Sequence, residues 1–312
     1  MKKAAVIGLG DISPIHLAAI AGNPDIELCA VCDIDPEAGQ RAPEGVPFYT
    51  DYEEMLREAK PDCVHVCLPH YLHYPVSKYF AEHGVNVFCE KPVALNTAQA
   101  KEFAALETAH PEVHIGICLQ NRLNESVEML KSIIESGEYG RVLGTKGIVP
   151  WARPKQYYDC KPWRGKWETA GGGCMINQSV HTLDLLYFLG GPVKSLRASV
   201  SQLLDYGIEV EDTVAAQLTY ADGGKACSWP PTPTTKMKAC RLAYSWKRRI
   251  SPSSKTCCTA SPRTVPARSC VRTRAFRAPS SITAPAMQSS SASSTRRWKT
   301  VRTITSMCAT PK

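Results

Sequence analysis

The chain has 312 residues, 44% of them hydrophobic and 21% charged, which suits two folded domains with buried cores rather than a fibrous or fully disordered protein. No apolar run reaches the length of a membrane span, and Met1-Lys2-Lys3 leads directly into a short strand, so neither a spanning segment nor a secretory signal is expected. The net charge of +8 is unevenly laid: residues 227–312 hold 17 of the 37 basic residues and none of the 29 acidic ones, which leaves −9 on the first 226.

An apolar strand, Ala4 to Ile7, opens the fold and runs into Gly8-Leu9-Gly10-Asp11-Ile12-Ser13, followed by a helix from Pro14 to Ala21. Glycines at Gly8 and Gly10 let the backbone turn tightly and approach a pyrophosphate, which would rest on the helix-start amides near Asp11 and Ile12. Ser13, which replaces the third glycine of the dinucleotide fingerprint, is expected to cap that helix, with Pro14 at its first position. A second strand, Ile26 to Cys32, ends at Asp33, the expected distance downstream for a carboxylate that binds a ribose 2′-hydroxyl. That carboxylate would repel a 2′-phosphate, so NAD is expected over NADP.

Alternating strands and helices follow: helix 51–59, strand 63–68, helix 74–83, strand 85–89, helix 97–110 capped by Asn96 or Thr97, and strand 113–117. This βαβ rhythm predicts a doubly wound parallel sheet, an NAD(P)-binding Rossmann domain over residues 1–118. Pro69, His70 and His73 follow the strand that starts at Cys63 and should lie beside the nicotinamide end. His70 and His73 have a metal-like spacing, but no cysteine or carboxylate nearby completes a site, so no metal is expected. Glu90-Lys91-Pro92 closes the strand 85–89. A lysine there stands where open α/β sheets bind ligands, and burial would lower its ammonium pKa toward working pH, making it a candidate acid or base. The eight cysteines before residue 227 lie mainly in apolar strands, Cys29 and Cys32 included, and suit a reducing cytoplasm.

From Leu119 the composition changes to a second, α+β domain, of which residues 119–226 supply the first part. Gln120-Asn121-Arg122 opens it, helix 126–136 ends at Gly137, and Trp163-Arg164-Gly165 precedes the run Gly171-Gly172-Gly173. A helix from Cys174 to Leu189 places Asn177, His181 and Asp184 on one face at i, i+4 and i+7. A purely structural helix would put leucines there, and this one has Leu183, Leu185, Leu186 and Leu189 besides.

From the glycine turn, through Glu90-Lys91-Pro92, to the block from Gly171 to Asp184, the chain resembles the glucose-fructose oxidoreductase and inositol dehydrogenase (Gfo/Idh/MocA) family over roughly its first 226 residues. The resemblance implies NAD(P)-dependent oxidation or reduction of a sugar or polyol, Lys91 and His181 as the catalytic pair, a second domain built on an open, mostly antiparallel sheet, and a homodimer or homotetramer. Many members carry an aspartate four residues before the histidine; here it is Asn177, which cannot take up a proton. The expected division of labour makes His181 the base, at its ordinary pKa near 6.5, and has Lys91 hold and polarise the oxygen, although the two roles could be exchanged. Asn177, Asp184, Arg122, Trp163 and Arg164 would then bind the remaining hydroxyls, with Gly8, Gly10, Asp11, Ile12, Asp33, Pro69, His70, His73, Glu90 and Lys91 around the cofactor. Two alternatives stand beside this: an NAD-dependent glycosidase of the same family, and a non-catalytic NAD-binding or truncated product.

The tail, 227–312, is rich in Ser, Thr, Pro, Arg and Ala and holds six of the 14 cysteines. A basic disordered arm binding nucleic acid or an anionic membrane is one reading, but such arms rarely carry so many cysteines, and neither partner is expected. A folded third domain lacks an apolar pattern. Read one base out of register, Cys227 to Met237 can spell Leu-Phe-Leu-Ala-Thr-Asn-Thr-Asn-Tyr-Lys-Asp, a plausible strand, and the stretches 281–289 and 303–312 can spell sequences like the family's carboxyl-terminal segments. A frameshift near Ala226 is therefore expected, leaving the tail disordered and the strand 213–220 with an unpaired edge.

Overall fold

The computed structural model describes residues 1–151, 153–229 and 241–246. Its first half alternates β1 (Lys2–Ile7), α1 (Ser13–Ala21), β2 (Ile26–Cys32), β3 (Phe48–Tyr49), α2 (Tyr52–Ala59), β4 (Cys63–Val66), α3 (His70–Glu82), β5 (Asn86–Cys89), α4 (Thr97–Ala109) and β6 (Ile115–Ile117). The strands form one sheet in the order β3-β2-β1-β4-β5-β6, parallel throughout. Helices cover both faces, which is why the strands read as nearly continuous apolar runs. Ile7, Val64, Val66, Phe80, Val87 and Leu106 pack on one side, and Val6, Leu9, Ile20 and Val31 on the other. The doubly wound fold expected from the sequence is the one observed.

Local signals set most helix ends. Asp51 accepts from the Glu53 amide to cap α2, and Asn96 accepts from the Gln99 amide to cap α4. Helix α3 departs from expectation, starting at His70 rather than Tyr74 and carrying Pro75 inside. Proline suits a first turn, so Pro75 suggests a later start; instead the helix forgoes one backbone hydrogen bond and gains a turn.

The second half contains α5 (Glu125–Ser136), β7 (Val142–Ile148), α6 (Lys155–Asp159), α7 (Trp167–Ala170), a π turn (Met175–Ser179) that leads into α8 (Val180–Gly190), β8 (Val193–Ser201), β9 (Thr213–Tyr220), β10 (Lys225–Trp229) and β11 (Arg241–Trp246). Its sheet has the order β11-β7-β10-β9-β8, antiparallel except where β10 meets β7. Helix α8 lies on this sheet, with Leu186 against Ala216, Leu218, Tyr220 and Ala226. The Tyr220 hydroxyl is satisfied inside this core by Thr145 Oγ1 (2.7 Å) and the Leu186 carbonyl (2.9 Å).

Two expectations about the tail are corrected by β10 and β11. Strand β9 has no free edge, because Gly223, at φ 86°, turns the chain back so that β10 pairs with it. Strand β11 lies within the stretch expected to be disordered; its Leu242, Tyr244 and Trp246 are residues that favour strands, and β7 offers them a ladder. The remainder of that expectation falls on 230–240 and 247–312, outside the described residues. No helix among the described residues is long and apolar enough to cross a membrane.

Candidate active site

The turn between β1 and α1 is a cradle of bare backbone. Gly8 has φ +90°, and a Cβ there would lie 2.6 Å from the Cys67 carbonyl oxygen, so no larger residue fits. A Cβ on Gly10 would meet only the Lys161 ammonium, at 3.9 Å. Ile12, not Ser13, precedes α1 and offers no side-chain cap; the Ser13 hydroxyl donates to the Gly10 carbonyl (2.9 Å), tightening the turn. The first amides of α1 thus lack a side-chain acceptor and are disposed toward an anion. Asp33 closes the cradle, accepting from the Leu9 amide (2.7 Å) and the Asp35 amide (3.0 Å), while its oxygens keep lone pairs for a ribose hydroxyl. These residues fit a dinucleotide, whose pyrophosphate Gly8 to Ile12 would hold and whose ribose Asp33 would accept from.

Lys91 stands at the carboxyl end of β5, before the cis Lys91–Pro92 peptide. Its ammonium donates to the Asn177 carbonyl (3.1 Å), so the π turn of the second half meets the lysine of the first. Such turns often occur at functional positions. The Asn177 side-chain amide donates to the Tyr157 hydroxyl (2.7 Å). Burial pulls the Lys91 pKa below its usual value; Glu90 pushes back, while Arg153 and Arg164 add to the fall. His181 lies close enough for Lys91 to act on it. Burial first, then the lysine charge, pushes the imidazole down to about 4, well below the 6.5 expected. It is therefore neutral at pH 7, and its buried Nδ1 has no partner among the described residues.

Glu90, beneath Lys91, is buried and accepts from His16 Nε2 (3.1 Å), while His16 Nδ1 meets His65 Nδ1 (2.9 Å). Burial alone would raise the carboxyl, but the His16 hydrogen bond and the Lys91 charge outweigh it and hold Glu90 well below the usual carboxylate range. His16, Glu90 and Cys118 place ligand-type atoms within 4.8 Å of one another. A metal would need the thiolate, yet burial pushes the Cys118 thiol far up, and His16 and Glu90 satisfy each other.

Several expected substrate contacts have other partners. Arg122 and Asp184 form a mutual fork, Nε to Oδ2 at 2.8 Å with a second bond from Nη2 to Oδ1, and Arg122 lies over the Phe188 ring. This pair ties the 120–123 turn to α8. Arg164 gives Nη2 to Asp11 (2.8 Å) and belongs to the glycine turn, as does Lys161 (3.0 Å). Partial burial would raise the Asp11 carboxyl, but both cations hold it below its usual value. Trp163 packs edge-on against His70, with ring centres 4.7 Å apart. His70 Nδ1 bonds the Ala170 carbonyl (2.9 Å), and the His73 ring lies with Nδ1 2.7 Å from the Pro92 carbonyl and Nε2 2.8 Å from that of Leu68, donating to one of the two while neutral. Pro69 is the residue before α3.

Sequence reasoning passed over Tyr157, Arg153, Lys161, His16, His65 and Glu211. The buried Glu211 carboxylate accepts from the Gly173 amide (2.9 Å) and the Met175 amide (3.0 Å), fixing the start of the π turn that carries Asn177. Most of these residues act across a long stretch of chain, where no local motif marks them, whereas Arg153 meets Trp151 and Tyr157 close by in sequence; the His16 position, one turn into the helix after the glycine turn, carried a usable hint. Cys29 and Cys32 are free thiols in β2, as read from the sequence.

Residues 2–116 match the GFO/IDH/MocA family described as "Oxidoreductase family, NAD-binding Rossmann fold", and residues 127–229 match a GFO/IDH/MocA C-terminal domain. The chain is 28% identical over 243 residues to D-glucoside 3-dehydrogenase of Escherichia coli K12, covering 71% of this chain and 68% of that protein. It is 27% identical over 227 residues to myo-inositol 2-dehydrogenase of Thermotoga maritima, covering 70% and 65%. Among solved structures, the WlbA dehydrogenase of Bordetella pertussis in complex with NADH and UDP-GlcNAcA superposes with a TM-score of 0.74 at 32% identity, covering 78% of this chain and 75% of that one. The chain thus spans roughly two thirds of the length of the curated relatives it matches.

Proposed function

We propose that this chain, which belongs to the Gfo/Idh/MocA oxidoreductase family, moves hydride between NAD and a secondary alcohol of a sugar or polyol. The observation that carries the reading is the hydrogen bond from Lys91 to the Asn177 carbonyl, one helical turn before His181, at the carboxyl edge of the parallel sheet, on the side where Gly8, Gly10 and Asp33 form the cradle. NAD, when bound, supplies the hydride acceptor. The chain's own residues must then orient the alcohol, remove its proton and keep water away.

The proton goes most readily to Lys91. Burial brings its amine toward working pH, whereas His181, down at about 4, has lost most of its basicity. This exchanges the roles expected from the unperturbed histidine: a neutral Lys91 accepts the hydroxyl proton, and neutral His181, through its unpartnered Nδ1, holds the oxygen. Asn177 orients the Lys91 ammonium through its carbonyl, and the Arg122–Asp184 fork holds the helix that carries His181. Asp33 favours NAD over NADP. The homodimer or homotetramer expected from the resemblance remains a proposal, to be tested by the mass of the protein in solution. The acid-free tail is read as a shifted frame, to be tested by sequencing the DNA across codon 226.

Lys91→Met tests the function. We expect it to lower turnover on the best sugar or polyol of a panel by about 10³-fold while NADH affinity stays within a few fold. Full turnover would sink the assignment. Sugar cleavage without net NADH formation would point instead to the glycosidase alternative, and NAD binding without turnover on any polyol to a non-catalytic role.

A further inference from the structure

Two guanidinium groups lie over the Tyr157 ring, with Arg164 3.9 Å and Arg153 4.7 Å from its centre. Arg153 also reaches Trp151, 5.9 Å away. The Tyr157 hydroxyl accepts from Asn177, whose carbonyl holds Lys91, so this cationic stack ends on the lysine that would take the substrate proton. The Nε of each arginine is buried, and neither has a partner among the described residues. Asp11 already neutralises Arg164, which leaves the Arg153 guanidinium, with its buried Nε open, as the charge that lacks an anion among the described residues.

The two arginines differ in what they already hold. Arg164 gives Nη2 to Asp11 and Nη1 to the Tyr157 carbonyl, which commits it to the glycine turn. Arg153 forms no ion pair with a carboxylate among the described residues. Acids of the surrounding region are engaged elsewhere: Asp11 with Lys161 and Arg164, Glu90 with His16, and Asp212 with the Leu203 and Leu204 amides. A guanidinium lying flat on an aromatic ring keeps its edge donors free for bidentate contact with a carboxylate or phosphate.

We propose, building on the dehydrogenase reading above, that Arg153 binds an anionic group of the substrate, so that the preferred substrates are sugar acids or sugar phosphates rather than neutral polyols. Lysine, histidine and arginine then divide the substrate between them. Lys91 and His181 take the reacting hydroxyl, and Arg153, through the Tyr157 and Asn177 link, fixes the charged substituent.

The test uses the full chain with saturating NAD and matched sugars: glucose, glucuronate and glucose 6-phosphate, then galactose and galacturonate. NADH formation and protection against thermal unfolding are both read. At least one anionic sugar should exceed its neutral counterpart in kcat/KM by about tenfold, and R153Q should remove most of that ratio through KM, with R153K retaining part. Glucuronate against glucose 6-phosphate distinguishes carboxylate from phosphate. Equal or better use of neutral sugars, or an R153Q enzyme that loses NADH affinity and every sugar alike, overturns the proposal while leaving the dehydrogenase reading in place. Arg153-dependent protection by an anionic sugar without NADH formation would do the reverse. No turnover and no protection by any sugar would overturn both.

Discussion

The two sheets secure their share of the site in opposite ways. The parallel sheet is covered on both faces, and its loops leave from strands such as β1 and β5 that are buried on each side. The second sheet is covered chiefly by α8, which packs on β7 and β10, and the cover runs out at β8. Leu196 and Val200 pair in register with the buried Leu218 and Val214, and so lie on the covered face, yet they are 54% and 59% exposed. The cradle is thus held by deep packing, whereas the π turn that carries Asn177 starts on one buried carboxylate, Glu211, and the helix of His181 leans on the Arg122–Asp184 fork. The difference teaches that the cofactor half should tolerate damage that disables the substrate half.

The largest expected effect breaks the comparison at its weak side. A Cβ on Gly173 would lie 1.8 Å from the Glu211 carbonyl oxygen, a backbone atom that cannot move aside without displacing β9. Gly173→Ala should therefore destabilise the second half by more than about 3 kcal/mol. Turnover should disappear while NADH affinity, measured by fluorescence titration, changes only a few fold; a parallel loss of both would show that the halves fold as one unit.

Acid should act the other way round. Burial keeps His65 and His70 neutral, with pKa values pushed down to about 3, while an unfolded histidine protonates near 6.5. Between those values the unfolded chain binds more protons, so stability is lost as pH falls from 6.5 toward 3, by up to about 1.4 kcal/mol per pH unit for each ring. Both rings lie in the first half, against His181 alone in the second. Amide exchange at pH 7 and pH 5 should show protection falling more in β4 and α3 than in β9; the opposite order would remove the first half's claim to greater depth only under neutral conditions.

Legibility in the sequence followed the same division. Apolar runs, glycine turns and caps act within a few residues, so β1, α1, β2 and the rest of the parallel sheet could be read almost strand by strand, as could Lys91 and Asp33. The second half depends on contacts between distant residues. The fork of Arg122 with Asp184 joins positions 62 residues apart, and Arg164 reaches Asp11 across 153. Sequence pattern showed that these side chains were charged, but not which of them would pair with one another. His181 illustrates a second limit: its position was legible, while its proton affinity depends on burial and on Lys91, which only the assembled site provides.

A smaller effect sharpens the cofactor side. Asp33→Ala should reduce the preference for NAD over NADP by roughly tenfold, by removing the repulsion of a 2′-phosphate, as measured by the ratio of kcat/KM for the two cofactors. Folding should be little affected, although the Leu9 and Asp35 amides lose their acceptor. An unchanged ratio would mean that Asp33 serves the turn and not the ribose.

Glu90→Gln asks for the smallest effect and addresses the seam where the halves meet. The Glu90 charge favours the ammonium form of Lys91 and so opposes the fall caused by burial. With Lys91 as the base, activity rises with pH as the amine loses its proton. Removing the carboxylate charge lowers that pKa further, so the rising limb of kcat/KM should move to lower pH by about one unit. A glutamine oxygen can still accept from His16, which keeps the buried chain of His65, His16 and residue 90 connected and separates the electrostatic effect from a collapse of packing. The Glu90 charge acts on His181 too, so a limb that stays where it was while the fold is intact would mean that neither Lys91 nor His181 sets it.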